Sequence, residues 1–169
     1  MPGEAITRRK LLGYAAAGVG TAMLGGTTML APIAHAAAPE RFEIVRTPEQ
    51  WRRILTPAQY AVLREEATER AGSSPLNREH RRGLFLCAGC NLPLFSSAAK
   101  FESGTGWPSF TAPLKSAVGT RVDRSLFMLR TEVHCRRCGG HLGHVFDDGP
   151  RPTGKRYCMN GTALKFRPA

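Results

Sequence analysis

The sequence is short of acidic residues, and it lacks any long run of basic ones. Its 169 residues include 13 Asp and Glu against 24 Lys and Arg, which gives a formal net charge of +11. The basic residues are scattered, and doublets such as Arg52-Arg53 and Arg81-Arg82 do not build a basic arm. Because no recognition motif accompanies this charge, we expect no nucleic acid as the main partner. Acidic client proteins or an anionic envelope surface would suit the charge better.

The chain beyond residue 83 also lacks the alternation of strands and long helices that a parallel α/β fold requires. Its apolar segments are short and are separated by Gly and Pro, which is typical of antiparallel strands. We predict strands at Leu84–Leu86, Leu92–Phe95, Ser125–Leu129 and Leu164–Phe166. The fold class expected from this pattern is mainly β with a small helical annex.

The helical annex is predicted before these strands. Thr47-Pro48 and Thr56-Pro57 each place a capping hydroxyl before a proline, with Gln three residues after the cap. This pattern predicts two short helices joined at Thr56. Trp51, Ile54 and Leu55 are expected on the inner face of the first helix, and the second is expected to run to Gly72.

Charged residues are missing from Leu11 to Ile33, and this apolar run follows the twin arginine Arg8-Arg9. It ends in Ala34-His35-Ala36, a small-residue cleavage pattern. We expect residues 1–38 to be a twin-arginine export signal and cleavage region, and residues 39–169 to be the folded domain. The predicted localisation is periplasmic or cell-envelope. A membrane anchor is the alternative interpretation, because the run is long enough to span a bilayer.

Cysteine is scarce, and four of the five cysteines form two C-x-x-C pairs, Cys87/Cys90 and Cys135/Cys138. Two thiolates on each of two tight turns can surround one zinc ion as a tetrahedron. Such a zinc would be structural, because four thiolates leave no position open for water. Disulfides and a redox-active pair are the alternatives. With four sulfurs on the ion, His141 and His144 would be free for other chemistry.

The fifth cysteine, Cys158, has no such partner. If Arg156–Asn160 is a strand, Arg156, Cys158 and Asn160 share one face, and a cation and an amide beside a thiol favour the thiolate. A buried, inert cysteine is the alternative. Upstream, Gly-rich turns around Trp107 predict an aromatic wall at the surface. Together these groups would suit attack on a small polarised group with an apolar tip.

The motifs taken together resemble the methionine-R-sulfoxide reductase B family over nearly all of residues 39–169. The matching segments are Cys87–Cys90, Gly106–Phe110, Cys135–Cys138, His141–Phe146, Asp148–Pro150 and Arg156–Asn160. The resemblance implies two antiparallel sheets with one structural zinc, and an enzyme that reduces the R epimer of methionine sulfoxide, mainly in proteins.

The same resemblance implies roles for single residues. Cys158 would be the nucleophile and would become a sulfenic acid. His141, His144 and Asn160 would surround the sulfoxide oxygen, with His141 as the preferred proton donor. The substrate-binding residues would be Trp107, which would hold the terminal methyl group, and Phe110.

One position departs from the family pattern: Thr105 stands where many members carry a resolving cysteine. With the other four cysteines on zinc, no internal thiol remains, so the expected reductant is external, either a thioredoxin-like protein or a small thiol. We expect a monomer. One competing hypothesis is a non-catalytic zinc-ribbon binding module, which would need none of Cys158, His141 and Trp107. The other is a thiol–disulfide oxidoreductase, from which tightly held zinc would distinguish a structural site.

Overall fold

The computed structural model describes residues 40–125 and 128–169. The predicted export segment, residues 1–38, lies outside them. Two α-helices come first among the described residues: α1 spans Pro48–Ile54 and α2 spans Pro57–Glu65. Neither these nor any other helix in the described part of the chain is long and apolar enough to cross a bilayer.

Both helices begin at the predicted caps. The Thr47 hydroxyl accepts from the backbone N–H of Gln50, and Thr56 does the same for Gln59, so each start is a complete capping box. Trp51 and Leu55 are buried as predicted, but Ile54 is 53% exposed, because α1 ends there and the backbone turns extended at Leu55.

The second helix stops earlier than the sequence suggested. Glu66 adopts a left-handed conformation with φ of 57°, and this ends α2 at Glu65. The predicted continuation to Gly72 is therefore wrong. The residues after Glu66 form an irregular segment, and this segment reaches the site described below.

Nine strands follow within the described residues. They are β1 Gly83–Cys87, β2 Pro93–Ser96, β3 Lys100–Phe101, β4 Ser109–Phe110, β5 Val118–Asp123, β6 Arg130–Cys135, β7 His141–Phe146, β8 Arg156–Met159 and β9 Leu164–Pro168. All pairings are antiparallel. They build a three-stranded sheet in the order β2-β1-β9 and a six-stranded sheet in the order β3-β4-β8-β7-β6-β5. The predicted mainly β fold with two antiparallel sheets and two short helices is confirmed.

The prediction of a strand at Ser125–Leu129 is wrong. Its described residues lie between β5 and β6 and belong to neither strand, and the Met128 N–H donates to the Ser125 carbonyl. The Asp123 carboxylate also accepts from the Ser125 N–H, which favours a turn over a strand at this point. Met128 and Leu129 are exposed, so their apolar character reflects the surface of a loop and not a buried strand.

Aromatic rings join the two sheets in the core. Phe95 of β2 stacks on Phe110 of β4 with ring centroids 4.4 Å apart, and Phe85 of β1 meets Phe110 edge-on at 4.9 Å. All three side chains are fully buried. Each such ring stabilises the fold by roughly 1.5–3 kcal/mol through burial, so this cluster fixes the large sheet on the small one.

Candidate active site and metal centre

Two turns bring the four paired cysteines together. Cys87 ends β1 and Cys135 ends β6. The turn after each strand carries the second cysteine of the pair, Cys90 or Cys138, to the same cluster. The Cys87 and Cys138 sulfurs are 3.7 Å apart, those of Cys90 and Cys135 are 3.5 Å apart, and all four lie within 4.8 Å of one another.

This arrangement fits a tetrahedral zinc ion. A Zn–S bond of about 2.3 Å implies sulfurs about 3.8 Å apart at the corners of the tetrahedron. All five cysteines are free thiols, so the disulfide alternative is not observed. The cluster found among the described residues contains no histidine. One structural zinc on Cys87, Cys90, Cys135 and Cys138 is therefore the cofactor that this chain can hold.

The thiols cannot all ionise without a cation. Hydrogen bonding to Cys135, together with burial, raises the pKa of the Cys87 thiol well above its ordinary value, whereas hydrogen bonding to Cys135 lowers the pKa of Cys90. Both shifts arise from contact between neighbouring sulfurs, whose negative charges would repel one another. A bound zinc ion would remove the conflict by stabilising four thiolates.

The metal turn also fixes β7. It connects β6 to β7, with the Cys135 N–H donating to the Gly140 carbonyl at 2.9 Å. Arg64 of α2 donates from Nη1 to the Cys138 carbonyl at 3.0 Å, which ties the helix to the turn. The histidines of β7 begin at His141, directly after this anchored turn.

Cys158 lies on β8, between β4 and β7. In the ladder it faces His144 on one side and Ser109 on the other. A small cavity of about 140 Å³ opens over it. Its lining combines a thiol, an imidazole, an amide, a cation and two aromatic rings: Thr68, Trp107, Arg130, Gly143, His144, Phe146, Cys158 and Asn160.

A glycine allows β7 to approach Cys158 this closely. A Cβ on Gly143 would lie 2.1 Å from the Cys158 carbonyl oxygen, and Gly143 has a φ of 155°. Any larger residue would therefore push β7 away from β8. The close pairing brings the His144 side chain beside the thiol.

His144 is held by a carboxylate. Its Nε2 lies 2.8 Å from the Asp123 Oδ2, and the same oxygen accepts from Arg130 at 2.6 Å. Burial lowers the pKa of His144 below its ordinary value, against the opposing effect of Asp123. The backbone N–H of Ser125 holds the pKa of Asp123 well below its usual range. A charged Asp123 therefore accepts Nε2–H and leaves Nδ1 of a neutral His144 free to take a proton.

His141 reaches the same face of the sheet through a β-bulge. Val133 pairs with Gly143 but His134 pairs with His141, so Leu142 is the extra residue. The rings of His141 and His144 are 5.4 Å apart. His141 Nδ1 lies 2.7 Å from Glu132 Oε1, and its Nε2 is buried without a partner. His141 does not line the cavity over Cys158; it lines the adjoining one with Glu132 and His144.

Trp107 and Asn160 are joined through Glu69 in the segment after α2. The indole N–H of Trp107 donates to the Glu69 carbonyl at 3.1 Å, and the Asn160 Oδ1 accepts from the Glu69 N–H at 2.9 Å. Asn160 Nδ2 also donates to the Leu142 carbonyl at 3.2 Å. The Glu69 carboxylate accepts from the backbone N–H groups of Gly161 and Thr162. This network holds the tryptophan wall against the end of β8.

The structure corrects the expected role of Phe110 in substrate binding. Its side chain is fully buried and does not line the cavity. The register explains this, because Phe110 pairs with Tyr157, whose side chain points to the sheet face opposite to that of Cys158. Phe110 therefore belongs to the aromatic core.

Arg156 and Thr105 also adjoin Cys158. Arg156 lies on the same strand face as Cys158. The pKa of its guanidinium is raised above its ordinary value, chiefly by the salt bridge to Asp148 at 2.8 Å and to a smaller extent by the charge of Cys158. The Thr105 hydroxyl lies 3.8 Å from the Cys158 sulfur. The position that would carry a resolving thiol is thus in contact with Cys158 but offers a hydroxyl.

Sequence reasoning missed several residues around this cavity. They are Thr68, Glu69, Asp123, Arg130, Glu132 and Phe146. A signal existed for Phe146, which is two residues after His144 and so shares its strand face. Asp123 and Glu132 carry no signal in the sequence, because only the register of β5, β6 and β7 brings them to the histidines.

Comparisons with known proteins match most of the chain. The SelR domain family matches residues 55–168. A peptide methionine sulfoxide reductase MsrB from Bradyrhizobium diazoefficiens is 58% identical over 127 residues, which cover 75% of this chain and 91% of the relative. An MsrB from Thiobacillus denitrificans is 54% identical over 124 residues (73% and 94%), and one from Leptospira interrogans is 50% identical over 127 residues (75% and 97%).

Proposed function

The chain belongs to the SelR-domain family of MsrB peptide methionine sulfoxide reductases, and from this premise we propose that it reduces methionine sulfoxide to methionine. The proposed substrate is the R epimer, mainly within oxidised proteins. The observation that carries the proposal is Cys158 in a small cavity, directly opposite His144 and beside Trp107.

The reaction starts with attack of the Cys158 sulfur on the sulfoxide sulfur. The sulfoxide oxygen takes up a proton, methionine leaves, and the oxygen remains on Cys158 as a sulfenic acid. Arg156 supports the thiolate through its charge on the same strand face. The zinc ion takes no part in these steps; its cysteines hold the turn from which β7 extends.

His144 and His141 are the proposed proton carriers. A neutral His144 can take the thiol proton on Nδ1 and pass it to the sulfoxide oxygen, because Asp123 holds Nε2. His141 was the preferred donor on sequence grounds, and its unpartnered Nε2 keeps that role open. Asparagine at each position in turn would distinguish them, since losing the acid–base group itself should lower kcat about 10²–10⁴-fold.

Trp107 is the proposed contact for the methyl group of the substrate. Its ring is the larger of the two aromatic walls of the cavity, and its N–H is already bonded to Glu69, so the ring face is fixed. A methyl held against this wall would leave one handedness at the sulfoxide sulfur facing Cys158. Asn160 would orient the oxygen with the remaining N–H of its amide.

Recycling would need an external thiol. The four other cysteines lie together in the metal cluster, and Thr105 occupies the contact position beside Cys158. We therefore propose that a thioredoxin-like protein or a small thiol attacks the sulfenic acid directly, forming a mixed disulfide and releasing water. A second thiol then regenerates Cys158.

The test uses both epimers of dabsylated methionine sulfoxide with wild type and Cys158→Ser. We expect turnover of the R epimer only, and a loss of about 10³-fold or more in the variant. Mass spectrometry after one turnover without reductant should find one added oxygen and no internal disulfide. Turnover of the S epimer, or activity surviving in Cys158→Ser, would contradict the proposal. A non-catalytic zinc-ribbon module would turn over neither epimer.

We further propose that residues 1–38 direct a monomeric protein to the periplasm or cell envelope. Support comes from Arg8-Arg9 ahead of the uncharged run and from the Ala34-His35-Ala36 pattern. Replacing Arg8 and Arg9 by lysine should retain the protein in the cytoplasm, while a Lys10→Ala control should still be exported. Equal export of both variants would exclude the twin-arginine route, and light scattering would report the oligomeric state.

A further inference from the structure

A row of three hydroxyl groups leads from the base of the Trp107 wall to Cys158. The Ser109 hydroxyl donates to the Trp107 carbonyl at 3.1 Å, and the Ser103 and Ser109 oxygens are 2.7 Å apart. The Ser103 and Thr105 oxygens are 2.8 Å apart, and Thr105 Oγ1 is 3.8 Å from the Cys158 sulfur. Ser109 is fully buried, so one end of the row is shielded from water.

The direction of every proton in this row follows from its buried end. A carbonyl can only accept, so the single proton of Ser109 points to Trp107. Ser103 must then donate to Ser109, and Thr105 must donate to Ser103, because each short contact between oxygens needs one proton. The Thr105 hydroxyl has no proton left for Cys158. It therefore presents only lone pairs to the sulfur.

We propose that Thr105 is the hydrogen-bond acceptor that holds the sulfenic acid of Cys158, and that Ser103 and Ser109 are positioning residues that orient it. This inference rests on the proposed function, which supplies the sulfenic acid. An acceptor suits S–OH, which has a strong O–H donor. It gives no support to a thiolate, which has no proton to donate.

The distance agrees with this role. The distance of 3.8 Å between Thr105 Oγ1 and the Cys158 sulfur is long for a hydrogen bond. Hydroxyl oxygens need a separation of about 2.7 Å, and an oxygen carried on the sulfur can reach that separation. Attack by an external thiol forms the S–S bond and breaks the S–O bond, and the oxygen leaves as water with a second proton. Until then, the acceptor would slow further oxidation and loss of the sulfenic acid.

The decisive comparison is Thr105→Val against Thr105→Ser. Val keeps the size of the side chain but lacks the acceptor, whereas Ser keeps the acceptor and loses only the methyl group. After one turnover on the R epimer without reductant, the sulfenic acid is trapped with dimedone at increasing times. We expect it to decay about fivefold faster in Thr105→Val, the loss of one hydrogen bond, and at the wild-type rate in Thr105→Ser. The methionine formed in that turnover is measured in each variant, and the trapped sulfenic acid is expressed relative to it.

A second variant tests the proton direction. Ser103→Ala frees the Thr105 proton to point at the sulfur, so the pH profile for alkylation of Cys158 should move about half a unit lower. Adding Thr105→Val to Ser103→Ala should remove that shift. Arg130, His144 and Arg156, the charged and titratable groups around Cys158, are unchanged in all these variants.

The outcomes distinguish a failure of the proposed function from a failure of the role of Thr105. If wild type forms no trappable sulfenic acid from the R epimer, the proposed function fails. If the acid forms but persists equally in wild type and Thr105→Val, the role of Thr105 fails alone. A Ser103→Ala profile that does not move, or that moves equally without the Thr105 hydroxyl, overturns the proton direction.

Discussion

At the scale of single residues, we propose that Thr105 determines how Cys158 is recycled. Its oxygen lies 3.8 Å from the Cys158 sulfur, so a thiol at this position would be in contact with that sulfur. We predict that Thr105→Cys forms an internal disulfide with Cys158 after one turnover. Mass spectrometry of a peptide digest should find the linked peptides in the variant but not in wild type. Thr162→Cys, whose hydroxyl bonds to Glu69, is the matched control and should not link to Cys158.

A second residue-scale prediction concerns His144 and pH. Burial lowers the pKa of His144, while the hydrogen bond to Asp123 acts to raise it. If neutral His144 takes the thiol proton, kcat/KM should fall only below the ordinary histidine value of about 6.5. Asp123→Asn removes the opposing effect, so the pKa falls further and the acidic limb moves to lower pH.

The control for this experiment is Asp147→Asn. That carboxylate is 82% exposed and pairs with Lys155 away from the cavity, so its removal should leave the pH profile unchanged. A limb that stays in place in Asp123→Asn would mean that His144 is not the titrating group. A limb lost instead in His141→Asn would assign the role to His141.

At the scale of secondary structure elements, the pairing of β7 with β8 builds the site. Gly143 allows this pairing, since a Cβ there would lie 2.1 Å from the Cys158 carbonyl. We predict that Gly143→Ala lowers the free energy of unfolding by about 3 kcal/mol or more and abolishes activity. Gly154→Ala is the control: its φ is +68° but nothing lies within 4 Å, so only about 1 kcal/mol of backbone strain should result. Urea unfolding of both variants measures the difference, and equal losses would contradict the steric explanation.

The elements also show what the sequence could predict. The capping boxes at Thr47 and Thr56 and the two C-x-x-C pairs are local patterns. The boxes alone predicted where the helices begin, and the pairs alone predicted the metal cluster. The bulge at Leu142 is not local, because it depends on the register between β6 and β7. That register turns His141 towards the face of His144.

Long-range pairing explains the remaining differences. Phe110 follows Trp107 in the same motif, yet pairing with Tyr157 sends its ring into the core. Asp123 is 21 residues before His144 and reaches it only because β5, β6 and β7 are neighbours. A sequence read without register could nominate the thiol and the histidines but not the carboxylates that bind those histidines.

At the scale of the whole molecule, the five cysteines divide into a metal set and Cys158, the proposed nucleophile. The metal set joins the end of β1 in the small sheet to the end of β6 in the large one. Zinc bound at this junction would therefore contribute to the stability of the entire domain. We predict that replacing a cysteine of each kind by serine has different effects on metal content, stability and activity.

Cys135→Ser should lose the metal, melt at lower temperature and lose activity as a consequence. Cys158→Ser should keep about one zinc per chain and the wild-type melting temperature, yet lose activity by itself. Metal analysis and calorimetry of both variants measure this directly, and zinc chelation at moderate urea should unfold wild type and Cys158→Ser alike. Metal loss in Cys158→Ser, or an active Cys135→Ser without metal, would contradict the division. The two sets lie on the same large sheet but meet different needs: four thiolates hold β7 in place so that one thiol can face His144.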